Sequence, residues 1–118
     1  MSLKVQIDFN EKNNIWVVVP EGEIDIYTSP KLKETLISAL DDKKTDILID
    51  GKKLDYVDST GLGTLISILK ETRENNNKIY MENIKPNIRK LFDITELDKV
   101  FVIKEWYYEK GNYWTYYS

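Results

Sequence analysis

The segment Asp55-Tyr56-Val57-Asp58-Ser59-Thr60-Gly61-Leu62-Gly63-Thr64-Leu65 concentrates the side chains most able to do chemistry. Its hydroxyls, Ser59 and Thr60, stand between the acids Asp55 and Asp58 and the glycines Gly61 and Gly63. Ser59 falls where a helix N-cap belongs, because its oxygen can accept a backbone N–H of the first turn. Each glycine inside a helix start costs about 1 kcal/mol of propensity. Two of them in one turn predict that something comes close to this backbone. A capped and tightly packed helix start meets that description. A phosphate-cradling loop also meets it, since helix N-termini attract anions. Against the loop, the stretch is neither G-x-x-x-x-G-K-[ST] nor G-x-G-x-x-G, and no lysine follows the glycines until Lys70. Asp55 and Asp58 would also repel a bound phosphate.

Composition narrows the chemistry further. The 118 residues contain no cysteine and no histidine, which excludes disulfides, thiolate nucleophiles, Ser-His-Asp triads and His- or Cys-ligated metals. Net charge is −3, so an electrostatic footprint for nucleic acid is not expected. Apolar residues at 42% and charged residues at 31% describe one ordinary globular domain. No apolar run approaches the roughly 20 residues that span a bilayer, and the N-terminus MSLKVQIDFN alternates instead of forming a signal-peptide block. A soluble, cytoplasmic protein is the expectation.

The elements that would position the hydroxyl segment follow from periodicity. Leu3, Val5, Ile7 and Phe9 alternate as a half-buried strand, and Ile15 to Val19 form a β-branched run, with the polar turn Glu11-Lys12-Asn13-Asn14 between them. Glu21 to Asp25 is read as an acidic turn, and Thr28-Ser29-Pro30 as a helix start with a hydroxyl cap. Leu32, Leu36, Ala39 and Leu40 recur at helical spacing. Strands are predicted at residues 46–50, 78–81 and 100–103, a second helix at 60–74, and a short third helix opened by Pro86. The order β-β-α-β-α-β-α-β implies an α/β layer structure with mostly parallel strands and an antiparallel first strand. In such sheets ligands and partners meet the strand C-termini, where the hydroxyl segment lies.

Residues 1–105 make up this domain, and residues 106–118 form an aromatic C-terminal extension. The extension holds seven of the chain's fourteen aromatics: Trp106, Tyr107, Tyr108, Tyr113, Trp114, Tyr116 and Tyr117. Lys110-Gly111-Asn112 between the two aromatic runs suggests a hairpin turn. The rings either cover a sheet edge of their own domain or form a partner or dimer surface.

Three blocks together resemble the bacterial anti-sigma-factor antagonists, small STAS-domain proteins. They are Gly22-Glu23-Ile24-Asp25-Ile26-Tyr27 leading to Pro30 and Leu32, then Asp58-Ser59-Thr60-Gly61-Leu62-Gly63, then Leu91-Phe92-Asp93-Ile94-Thr95 followed by Leu97. Their order and spacing match over roughly residues 3–103. The resemblance implies a single STAS fold and a switch controlled by phosphorylation. In this family the unphosphorylated protein binds an anti-sigma factor that is also a serine kinase, and so frees the sigma factor. Carried over to this sequence, the phosphoacceptor is Ser59, with Thr60 the secondary candidate. Asp25, Asp58, Ser59, Thr60, Gly61, Leu62 and Gly63 are the partner-binding residues. A PP2C-type phosphatase would reverse the modification. ATP and magnesium would sit on the kinase, so the chain needs no cofactor or metal and is not itself an enzyme. Monomer or weak dimer is the expected state. A STAS adaptor in a non-sigma signalling module is the first alternative, and a small nucleotide-binding protein the second. Two departures stand out: Glu96 occupies a position where the family often has glycine, and the aromatic extension replaces a last amphipathic helix.

Overall fold

The computed structural model describes residues 2–109 and 113–117, with side chains over residues 2–104. Strand β1 (Leu3–Asn10) pairs antiparallel with β2 (Ile15–Ile24), from Leu3 opposite Gly22 to Asn10 opposite Ile15. The polar turn between them closes through Asn14 in the left-handed region, and the Asn10 side chain accepts from the Asn13 N–H. Helix α1 (Ser29–Asp42) leads to β3 (Asp46–Asp50) and then β4 (Leu54–Val57). Helix α2 (Ser59–Glu74), β5 (Ile79–Glu82), α3 (Pro86–Ile94), a 3-10 turn (Leu97–Lys99), β6 (Val102–Glu109) and β7 (Tyr113–Tyr117) complete the chain order. The sheet runs β1-β2-β3-β5-β6-β7, with β4 set beside β2. β2, β3, β5 and β6 are parallel, and β1 is the antiparallel addition.

Alternation along the strands builds the core. Val18, Ile47, Ile49, Ile79, Met81 and Ile103 enter one cluster with Leu36 of α1, Leu65 and Ile68 of α2, and Phe92 of α3. Phe92 and Phe101 meet edge-to-face with 5.4 Å between ring centroids, a geometry that aromatic pairs favour. The alternate positions Val17, Leu48, Tyr80 and Val102 lie in register across four strands on the opposite face and are half-buried.

Three local expectations need correction. β2 continues through the stretch read as an acidic turn, as far as Ile24. Pro20 and Gly22 hid it. Pro20 falls between Val18, the last residue paired with β3, and Gly22, the first paired with β4, where the ladder on that side has a gap. Gly22 is at φ +114°, and a Cβ there would meet the Ser2 carbonyl oxygen at 2.3 Å, so only glycine fits. Second, β4 is a strand inside the segment expected to be loop. Third, the last strand expected at residues 100–103 begins at Val102 and runs to Glu109. Its distal half pairs antiparallel with β7, from Glu105 opposite Tyr117 to Glu109 opposite Tyr113. The two strands are the arms of the suggested hairpin; its turn, residues 110–112, lies outside the described residues. Glu96 adopts φ 61°, the left-handed conformation that favours the glycine its position often carries.

Candidate functional site

The site forms where β2 and β4 end side by side, with Glu23 opposite Tyr56 and Ile24 opposite Val57. From there the chain leaves through two loops, each closed by an aspartate. In the first, Asp25 Oδ1 accepts from the backbone N–H groups of Tyr27 (2.9 Å) and Thr28 (3.0 Å). The Asp25 N–H donates to Thr28 Oγ1, and the Thr28 hydroxyl donates to the Glu23 carbonyl. This tight Asx-type turn draws Asp25 inside, to 3% exposure. It leaves Ile26 and Tyr27 no room in the core, so they stand out at 58% and 80% exposure. Burial pushes the Asp25 carboxyl up, but the hydrogen bonds from the Thr28 and Tyr27 N–H groups outweigh it and hold its pKa below the ordinary carboxylate value.

In the second loop, Asp58 is the N-cap of α2: its Oδ1 accepts from the Gly61 N–H at 2.8 Å. Its other oxygen, Oδ2, accepts from the Ile26 N–H at 3.2 Å. One carboxylate thus ties the start of α2 to the first loop. The Asp58 N–H also donates to the Ile24 carbonyl. The expected Ser59 cap is therefore replaced by an Asp58 cap one residue earlier, and Ser59 becomes the first helical residue. Its hydroxyl is released from capping, and both Ser59 and Thr60 are exposed. The hydroxyl cap expected for α1 is likewise absent, because Thr28 Oγ1 is used within the Asp25 loop.

The two glycines separate. A Cβ on Gly61 would lie 2.4 Å from the Ile24 carbonyl oxygen, whereas one on Gly63 would meet nothing within 4 Å. The close approach predicted for this backbone is made by the chain's own β2 and concerns Gly61 alone. Leu62 is buried in the core. Of the sequence-predicted residues, Ser59, Thr60 and Gly63 face solvent, Asp58 is half-buried as the clamp, and Asp25, Gly61 and Leu62 lie inside and shape the surface from beneath.

Ile26, Tyr27 and Tyr56 complete this surface and were not predicted as site residues. Tyr56, on β4, is 48% exposed. A readable signal for the first two existed: an apolar pair enclosed between Asp25 and the Thr28-Ser29-Pro30 helix start has no strand or helix position from which to reach a core. Behind β4, Lys85 pairs with Asp55 and the Asn87 amide donates to the Asp55 carbonyl, which fixes the strand against the start of α3.

Among the described residues no group of three or more acidic side chains is placed to hold a metal ion, and no helix is long and apolar enough to cross a membrane. The STAS domain profile matches residues 6–110. An anti-sigma-B factor antagonist of Staphylococcus aureus (strain NCTC 8325 / PS 47) is 31% identical over 103 residues, covering 87% of this chain and 95% of that protein. Among solved structures, an anti-sigma factor antagonist from Mycobacterium paratuberculosis superposes with a TM-score of 0.72 at 24% identity, covering 86% of this chain and 85% of the other. The Bacillus cell fate determinant SpoIIAA in its phosphorylated form gives a TM-score of 0.66 at 20% identity, covering 85% and 90%.

Proposed function

The chain belongs to the STAS domain family, and from that premise we propose that it is an anti-sigma-factor antagonist switched at Ser59. Unphosphorylated, it binds an anti-sigma factor that is also a serine kinase, and the sigma factor is released. Phosphorylation of Ser59 breaks that complex, and a PP2C-type phosphatase restores it. ATP and magnesium belong to the kinase, the chain supplies no catalytic group, and the exchange takes place in the cytoplasm.

The observation that carries this reading is the pairing of an exposed, uncommitted hydroxyl with an apolar docking patch. Ser59 is exposed at the first position of α2, and the Asp58 beside it is hydrogen-bonded to Ile26, whose side chain is exposed with that of Tyr27. A phosphoacceptor needs a hydroxyl that can enter another protein's active site, and a stable encounter needs apolar contact around it. The likeness to the staphylococcal antagonist adds support, since it spans nearly the whole of that protein.

The geometry also supports a switch that acts at the interface and spares the fold. A phosphate adds roughly −1.5 to −2 charge at pH 7. At a helix N-terminus the dipole favours that charge by about 0.3–1 kcal/mol, while Asp58 opposes it. The Asp58 carboxylate is already held by the Gly61 and Ile26 N–H groups, so it has partners to keep when the phosphate arrives. In a complex the same phosphate must be desolvated against the partner without a matching cation, which costs several kcal/mol. Even about 3 kcal/mol weakens binding more than a hundredfold.

The test uses the purified chain, an anti-sigma factor of the histidine-kinase-like type, ATP and magnesium. Mass spectrometry should place one phosphate on Ser59. Ser59→Ala should bind constitutively and resist modification, and Ser59→Asp should bind at least a hundredfold more weakly with an unchanged circular dichroism spectrum. Stoichiometric phosphorylation of Ser59→Ala would move the assignment to Thr60. Absence of any binding by the unmodified chain would favour an adaptor outside sigma control.

A further inference from the structure

The C-terminal ribbon carries an inference independent of the switch. β6 pairs with β5 only as far as Lys104, opposite Glu82. From Glu105 onward its described partner is β7 alone, and β7 ends the strand order. A two-stranded ribbon on its own is marginal in water, and a third strand adds stability. The sheet's other edge, β1, carries Lys4, Gln6 and Asp8 at alternate positions, the kind of charged edge that discourages further pairing. β7 reads Tyr113-Trp114-Thr115-Tyr116-Tyr117, with no charge, no proline and no glycine. All five residues are of types that favour strands, and the strand itself carries neither the charge nor the proline that blunts an edge.

We infer that β7 pairs antiparallel with β7 of a second copy of this chain about a two-fold axis, closing a four-stranded sheet β6-β7-β7-β6. Symmetry fixes the centre. With Thr115 opposite Thr115 of the second copy, Trp114 falls opposite Tyr116 and Tyr113 opposite Tyr117 of that copy. Threonine–threonine and aromatic–aromatic pairs are among the favourable cross-strand combinations. A neutral strand meets its own image without like-charge repulsion, and the two-fold uses up both open edges, so the assembly stops at two. A bilayer suits the ribbon less well: Glu105 and Glu109 lie within β6 itself, and a carboxylate is costly to carry into a bilayer. Five residues a side fall well short of the roughly 20–30 of a standard interface, so the dimer is weak and forms with rising concentration.

Sedimentation equilibrium of the full chain from low to high micromolar concentration tests this. The weight-average mass should climb from the monomer toward twice that value. Thr115→Lys and Thr115→Glu each place like charges face to face and should each weaken association by about fivefold or more. An equimolar mixture of the two should restore it. Thr115→Cys, the single thiol in a chain without cysteine, should cross-link on mild oxidation, because directly opposed strand positions lie within disulfide reach. A wild-type mass independent of concentration overturns the inference. So does a Thr115→Lys protein that associates like wild type, a charge-swapped mixture that stays monomeric, or a monomeric chain that co-sediments with anionic vesicles.

Discussion

α1 and α2 both open on a serine at their first helical residue, yet Ser29 is buried at 3% exposure and Ser59 is exposed. Both follow strands that end side by side, and both are preceded by a residue able to cap. The difference lies in where the nearest aspartate stands. Asp58 is immediately upstream of Ser59 and takes the capping bond itself, which leaves the hydroxyl outside and uncommitted. Asp25 is four residues upstream of Ser29 and closes the loop instead: the Ser29 N–H donates to the Asp25 carbonyl, and the serine is folded under the turn. A serine at a helix start can be cap, core or acceptor, and its neighbour's carboxylate decides which.

The largest test of that contrast places a carboxylate at each serine. Ser29→Asp buries a second acid next to the buried Asp25 and should cost about 3 kcal/mol or more in urea unfolding. Ser59→Asp gains the helix dipole and meets Asp58, so its net effect on stability should stay within about 0.5 kcal/mol. Equal losses at the two positions would mean that burial does not distinguish these hydroxyls in solution.

A second test uses the glycines of α2 and predicts opposite signs. Gly61→Ala drives a Cβ to 2.4 Å from the Ile24 carbonyl oxygen and 2.8 Å from the Ile24 Cγ2. Backbone on one side cannot yield as a flexible side chain would, so a loss of about 1–3 kcal/mol is expected. Gly63→Ala enters open space in a helix and should gain up to about 1 kcal/mol. Thermal or urea denaturation reads both. A stabilised Gly61→Ala protein would show that the docking of α2 on β2 is looser than the structure has it.

These contrasts also mark how far the sequence could be followed. The alternation of β1, the apolar runs of β3 and β5 and the stripes of all three helices were legible because burial on one face imposes a period. β4 was not: four residues between Lys52-Lys53 and Asp58, with Asp55 and Tyr56 exposed, carry no period to detect. The far half of β2 was masked by Pro20 and Gly22, whose tolerance depends on a gap in the ladder and on the nearby Ser2 carbonyl. Ser59 and Asp25 were singled out together only through the three family blocks. That Asp58 would take the cap, and that Gly61 and Gly63 would have different reasons, depended on Ile24 and Ile26 arriving from a segment more than thirty residues earlier in the chain.

The smallest effect expected is a pH dependence confined to the first loop. Its hydrogen bonds from Thr28 and Tyr27 favour the charged form of Asp25 and depress its folded pKa below the ordinary value of about 3.9. A carboxyl depressed in the folded state contributes stability that is fully present above the unfolded pKa. That contribution is lost as pH falls through the lower, folded value. Stability owed to Asp25 should therefore be flat from neutral pH down to about 5 and decline below about 4. Asp25→Asn keeps an oxygen for the two N–H donors but cannot titrate. The stability difference between wild type and Asp25→Asn should stay constant across the neutral range and shift against wild type in acid. Unfolding curves of the two proteins at matched pH provide the measurement. A difference that does not change between pH about 5 and the acid limit would mean that the Asp25 loop holds equally well with a neutral side chain, and that its carboxylate serves the shape of the turn through geometry alone.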